Sequence, residues 1–315
     1  MNWKEEYRTY LEKERSEKTV EAYMSDLRQF ESWFERVNAE ALHPEVVTGV
    51  DCHDFRSYQL QEEEVAPSTW NRRRVALIVF TDWAMDQGYL KEDPMLGVDE
   101  KPVEELPLRW LDEGEYREVI RYLDKEVNRA LTDYEEKTAL MYRAIVHLML
   151  FCGLRVGEVV DLRRKDIEIN ERSGTVFIRD GKGEKAAEVF LDNAKARRVI
   201  SAWLEYLKER SREYRQHLWE KGHTEPVPGL PLWYGRKGDP LSSRSIQNHV
   251  QEIGEALGLE ITPHTFRHTF VRRLLVVHKV PVNIVQKLAR HARVETTLSY
   301  AGVSRNDMRD ALRQL

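Results

Sequence analysis

Seventeen residues divide this chain. Between Lys91 and Pro107 the sequence holds three prolines, a glycine at position 97 and six carboxylates, so neither a regular helix nor a ladder strand can run through it. Its composition is that of an interdomain linker, and a chain of 315 residues is longer than one hydrophobic core usually organises. Two domains are therefore expected, 1–105 with the linker included and 106–315. Charge divides at the same place: residues 1–105 carry 13 basic and 24 acidic side chains, the remainder 36 and 30. The net charge of −5 thus conceals a basic surplus in the second part. That is a weak pointer toward nucleic acid, because phosphate binding draws on Lys and Arg.

Other classes are disfavoured at once. No apolar run approaches the roughly 20 residues that would span a bilayer, so no membrane partner is expected. The opening residues MNWKEEYRTYLEKERSEKTV are charged and patterned rather than apolar, which argues against a secretory signal and for the cytoplasm. Cys52 and Cys152 form no metal-ligand pair by spacing, and buried thiols are the expected state.

The first part reads as helices. Tyr23, Leu27, Phe30 and Phe34 recur at spacings of three and four behind a cap at Ser16 or Thr19. A break at His43-Pro44 precedes a second helix near 51–63, and Pro67-Ser68-Thr69 signals the start of a third, ending at Gly88. In the second part helices are expected near 112–127, 133–152, 155–162 and 194–220. Thr175–Ile178 and Glu188–Leu191 are β-prone runs joined by Gly181-Lys182-Gly183-Glu184-Lys185, and this hairpin is the one sheet expected. The fold class is mainly α with a small antiparallel sheet, α+β, in the second domain.

Five segments carry candidate chemistry. Arg72, Arg73 and Arg74 fan across roughly 200° of a helix, so one or two can reach phosphate while a solvated face is the plainer reading. Arg155 follows a helix-ending glycine in Phe151-Cys152-Gly153-Leu154-Arg155, where its planar guanidinium can hold two phosphate oxygens; a local ion pair with Glu158 is the alternative. Lys182, or Lys185, sits on the hairpin tip. Thr262-Pro263-His264-Thr265-Phe266-Arg267-His268 puts a cap and a proline at a helix start, with His264 and Arg267 on one face beside free backbone N–H groups that suit an anion. Zinc at His264 and His268 is discounted because no further ligand completes a set. Finally, His291 precedes Tyr300 by nine residues across a turn between two helices; the region 281–301 also passes for a helix-turn-helix.

Taken in order, these pieces resemble the tyrosine recombinase (phage integrase) family, including its Xer-like members. Its pattern of an arginine in a GLR turn, a hairpin lysine, an HxxR helix start, a His or Trp and then a Tyr maps onto Arg155, Lys182, His264, Arg267, His291 and Tyr300. Thr19, Tyr23, Leu27 and Phe30, with Thr69-Trp70-Asn71-Arg72, are similar to that family's N-terminal DNA-binding helices. One departure stands out: Arg290 occupies the place where the family commonly has glycine before the second histidine.

The resemblance implies a site-specific DNA recombinase whose two domains clamp DNA and whose nucleophile is Tyr300, forming a 3′-phosphotyrosyl link. Arg155, Arg267 and His291 would stabilise charge on the phosphate, His264 would take or relay the tyrosine proton, and Lys182 would protonate the leaving 5′ oxygen. The link conserves bond energy, so neither ATP nor a metal or other cofactor is implied. Partners would be double-stranded DNA with an inverted-repeat core site and three further copies of the chain on paired sites, with a monomer or weak oligomer off DNA. Arg72, Arg73, Lys185 and Arg244 are the candidate DNA contacts. The tail residues Met308, Leu312 and Leu315 align on a short amphipathic helix that would dock on a neighbouring copy or pack in cis. Alternatives are a type IB topoisomerase-like nicking and rejoining enzyme, or a non-catalytic helix-turn-helix regulator.

Overall fold

A computed structural model describes residues 2–103, 108–179, 186–235 and 238–301, except 221–229 and the side chains of 210–220. It divides into two compact units, the first taking in nearly all of the acidic, proline-rich break and the second beginning at its end, near residue 107.

The first unit is helical. α1 (Trp3–Glu14) is capped by the Asn2 side chain, and α2 (Glu17–Asn38) by Ser16, the first of the two candidate caps. α3 (Gly49–Ser57) starts in a reciprocal cap between Thr48 and Asp51 and widens into a looser turn over Tyr58–Glu62. α4 (Pro67–Asp86) carries proline at its first position with Ala66 before it, so neither Ser68 nor Thr69 is the cap. Proline supplies the start geometry, and its missing N–H would have had no partner there anyway. The core these helices enclose is aromatic: Tyr7, Phe30, Phe55, Trp70 and Phe80 are fully buried, with Phe30 and Phe55 edge to face at 5.1 Å.

The expected linker is only partly a linker. Met95 and Val98 are buried in this first core, the Trp70 indole donates to the Asp99 carbonyl at 3.2 Å, and Asn71 exchanges two 2.8 Å hydrogen bonds with the Lys101 backbone. Two apolar side chains in an otherwise polar stretch suffice to dock it.

The second unit is built on α6 (Asp133–Cys152), which is buried along most of its length and packs against α5 (Glu113–Arg129), α8 (Ala194–Glu220) and α10 (Pro263–Arg272). α7 (Val156–Asp161) follows it directly. The sheet has three strands rather than two: β1 (Ile167–Ile169) pairs antiparallel with β2 (Gly174–Ile178), which pairs with β3 (Ala187–Phe190). β1 offers only an Ile-Glu-Ile alternation, too short to separate from a loop by pattern. α9 (Ser243–Leu257), α11 (Val282–Ala289) and α12 (Val294–Leu298) complete the unit. Both cysteines are free and buried, and burial pushes each thiol up to about 12. Among the described residues no helix is long and apolar enough to cross a membrane.

Candidate active site

Two backbone features position the first arginine. α6 ends at Gly153, whose φ of +61° is left-handed, and a β-carbon there would lie 2.4 Å from the Phe270 ring of α10. Only glycine meets both conditions. The chain then turns into α7 with Arg155 at its cap. Arg155 binds Glu158 twice, through its backbone N–H at 2.7 Å and its Nη1 at 2.9 Å, so the local ion pair does form. Arg155 also donates from Nη2 to the Arg290 carbonyl at 3.4 Å.

Arg267 comes from the opposite side. Thr262 and Pro263 start α10, with the Thr262 N–H on Thr265 Oγ1 at 3.0 Å, and this turn directs Arg267 into the interior, where it is 5 % exposed. It donates to the Gly153 carbonyl and to the Ala289 carbonyl. The end of α11, at Ala289 and Arg290, therefore receives a hydrogen bond from each of the two arginines. Burial foremost, then the charges of Arg155 and Arg290, pulls the Arg267 guanidinium down to about 10. It is still cationic at neutral pH.

The same segment carries His291 toward Tyr300. Their rings stack with centroids 6.0 Å apart, and Tyr300 is 4 % exposed. Burial, with Arg267 and Arg155 nearby, holds His291 down at about 4, so the ring is neutral at pH 7. Its Nδ1 lies 2.9 Å from the hydroxyl of buried Thr297. With Thr297 donating, the single N–H of the neutral ring sits on Nε2 and faces away from α12 as a donor. Burial raises the Tyr300 phenol above its ordinary value, with Arg267 opposing. The hydroxyl is thus protonated at rest and needs a proton acceptor to become nucleophilic.

The histidine against Tyr300 on the α10 side is His268, edge to face at 5.3 Å. His264 is exposed one turn earlier, its ring 6.1 Å from that of His268. The Nδ1 of His268 is 3.1 Å from the Arg109 carbonyl; a carbonyl only accepts, so Nδ1 carries the proton and Nε2 keeps a lone pair. Burial lowers His268, leaving it neutral. Thr297 and His268 were not singled out for this site from the sequence. His268 was legible in principle, since it sits i+1 from Arg267, whereas nothing local marks Thr297.

The other candidates are placed as follows. Lys182 and Lys185, between β2 and β3, lie outside the described residues, as do Met308, Leu312 and Leu315. Arg244 is exposed in the first turn of α9. Arg72 forms an ion pair with Asp26, and Arg73 approaches the same carboxylate at 3.8 Å while donating to Gln59. Asp26 is buried, so these arginines neutralise a charge inside the first unit, and Arg72 alone of the two remains about half exposed. Arg74 donates to the Val98 carbonyl. Among the described residues no group of three His, Cys, Asp or Glu side chains gathers as a metal ion would need.

Comparison with known proteins gives a consistent picture. Residues 118–307 match the model of the phage integrase family, and residues 5–88 match that of the phage integrase N-terminal SAM-like domain. Tyrosine recombinase XerD of Pseudomonas aeruginosa is 28 % identical over 96 % of this chain and 92 % of its own length. Tyrosine recombinase XerC of Halalkalibacterium halodurans is 28 % identical over 99 % and 96 %. Among solved structures, XerH site-specific recombinase in a post-cleavage complex with its palindromic difH substrate superposes with a TM-score of 0.68 at 20 % identity, covering 93 % of this chain and 78 % of that one. A lambda integrase dimer on a COC′ core site gives 0.63 at 15 %, covering 95 % and 76 %. At these identities the two structures speak to the fold.

Proposed function

Since the chain belongs to the phage integrase family and is a tyrosine recombinase, we propose that Tyr300 cuts DNA at a specific site and holds the broken strand as a 3′-phosphotyrosyl ester. The observation that carries this assignment is convergence. Arg155, Arg267, His291 and Tyr300 are spread over 146 positions of sequence, yet the first two share the 289–290 carbonyls and the last two stack on each other.

In the cleavage step the Tyr300 oxygen forms a bond to phosphorus, the bond from phosphorus to the 5′ oxygen breaks, and the phenolic proton leaves. Arg155 and Arg267 neutralise charge growing on the non-bridging oxygens, and the Nε2–H of His291 donates to one of them; each such donor contributes about 3 kcal/mol to the transition state. His268, with a free lone pair beside the phenol, and His264 behind it form the route for the tyrosine proton. Lys182 protonates the departing 5′ oxygen. Rejoining is the reverse, with the strand's own or a partner's 5′ hydroxyl attacking the phosphotyrosyl bond. The ester conserves the energy of the phosphodiester, so the reading calls for neither ATP nor a metal.

The proposed partner is duplex DNA with an inverted-repeat core, clamped by both units, and four copies of the chain act on a pair of sites. Recombinase relatives and DNA-bound structural neighbours support the DNA partner. In the first unit Arg72 is the remaining candidate for a phosphate, and in the second Lys185 and Arg244 serve that purpose. The test is covalent capture: the protein is mixed with a library of random duplexes in EDTA, quenched in detergent, and the DNA that stays attached is sequenced. Wild-type protein should retain one inverted-repeat site and Tyr300→Phe none. Adducts formed equally by Tyr300→Phe would refute the assignment.

A further inference from the structure

Arg290 stands beside Arg155 and Arg267, its carbonyl on Arg155 and its charge felt by Arg267. Its φ of +55° is left-handed, a conformation that glycine adopts freely and that crowds any side chain. A long cationic side chain is nevertheless kept there, 16 % exposed, with its Nη2 donating to Glu158 Oε2 at 2.6 Å. Glu158, 6 % exposed, thus receives Arg290 on one oxygen and Arg155 on the other at 2.9 Å, while the Arg290 carbonyl receives Arg155 Nη2. Arg290 holds Arg155 from two directions, directly through its backbone and indirectly through Glu158.

The charge balance is as telling as the geometry. Among the described residues Glu158 pairs with Arg155 and Arg290, Arg267 is close enough to feel the charge of all three, and Arg290 Nε and Nη1 are buried without a hydrogen-bond partner. A buried guanidinium with unsatisfied N–H groups is costly unless an acceptor, best an anion, arrives. A phosphodiester carries one negative charge, and its transition state holds more charge on the non-bridging oxygens than its ground state does on binding.

We propose that Arg290 is a positioning residue of the cleavage site, fixing Arg155 through Glu158 and adding the positive charge that the scissile phosphate offsets. This inference rests on the phosphotyrosyl reading above. The left-handed backbone makes glycine the natural replacement, so Arg290→Gly leaves the local fold without strain, and Arg290→Lys keeps the charge and one donor for Glu158.

The test measures single-turnover cleavage by the full chain on the duplex captured above, nicked so that cleavage is irreversible. One form carries an ordinary phosphate and the other a methylphosphonate, which lacks the non-bridging negative charge, at the cleaved position. Arg290→Gly should slow cleavage of the phosphate form by about 10- to 100-fold and of the methylphosphonate form by less than about threefold, since there is no charge to offset. Arg290→Lys should recover most of the loss on phosphate. Equal slowing of both forms, as a merely structural role would give, or no slowing of either, would overturn the inference. Failure of the wild-type protein to form an adduct would instead overturn the phosphotyrosyl reading, and this inference with it.

Discussion

Two histidines show how burial selects a chemical state in this protein. A neutral His291 ring can donate to a phosphate when its N–H is on Nε2, and the Thr297 hydroxyl 2.9 Å from Nδ1 holds that tautomer when it donates. Thr297→Val keeps the shape and removes the hydroxyl. It should slow strand cleavage about fivefold to tenfold, the worth of about 1 kcal/mol for one hydrogen bond, while site binding measured by mobility shift stays unchanged; an unaltered rate would remove Thr297 from the site. His147 is the second case. It is wholly buried on α6, its Nδ1 2.8 Å from the Arg143 carbonyl and its Nε2 without a partner among the described residues, and burial holds it at about 4 against an ordinary 6.5. The unfolded chain therefore takes up this proton below pH 6.5 and the folded chain only near 4. The sign follows: stability is fully present above pH 6.5 and is lost as pH falls toward 4, by at most about 3 kcal/mol for this one group. Urea midpoints at pH 7.5 and 4.5 should differ accordingly, with a smaller gap in His147→Leu. Identical gaps in the two proteins would contradict the assignment.

At the level of elements, the end of α6 governs the site more than any single polar contact. Gly153 turns the chain toward Arg155, offers its carbonyl to Arg267 and leaves room for Phe270. Gly153→Ala would add both left-handed strain and a clash, together about 2 to 4 kcal/mol, read as a drop in thermal midpoint and in cleavage rate; full stability would mean that the α6–α10 approach is looser than described. This element was legible in the sequence because a glycine after an apolar helix has a physical meaning by itself, as does Thr-Pro before His264. Elements whose reason is long-range were not legible. β1 is three residues that need β2 to be a strand, and Met95 and Val98 look like linker until the aromatic core of the first unit receives them. The Arg72 and Arg73 pattern is compatible with phosphate or with an acid elsewhere, and Asp26, 46 residues from Arg72, is invisible to local pattern. Arg290 and Glu158 are 132 residues apart, so the sequence marks Arg290 as unusual without saying what it holds.

Across the whole molecule, two units with their own cores divide the work. The acidic first unit, with 24 carboxylates before residue 106, builds an aromatic core whose buried Asp26 absorbs two arginines. The more basic second unit brings Arg155, Arg267 and Arg290 together where α6, α7 and α10 meet the 289–291 segment. Arg155, Arg267 and His291 come from that meeting, and Tyr300 follows shortly after α12. The central claim is that Tyr300 becomes covalently joined to DNA, and mass spectrometry of the captured adduct after nuclease and trypsin treatment tests it most directly. The tryptic peptide of residues 294–305 contains Tyr300 as its sole tyrosine. That peptide should carry the mass of a 3′-phosphate-linked nucleotide on Tyr300; a nucleotide found on any other peptide, or a captured strand with no protein residue attached, would contradict the account.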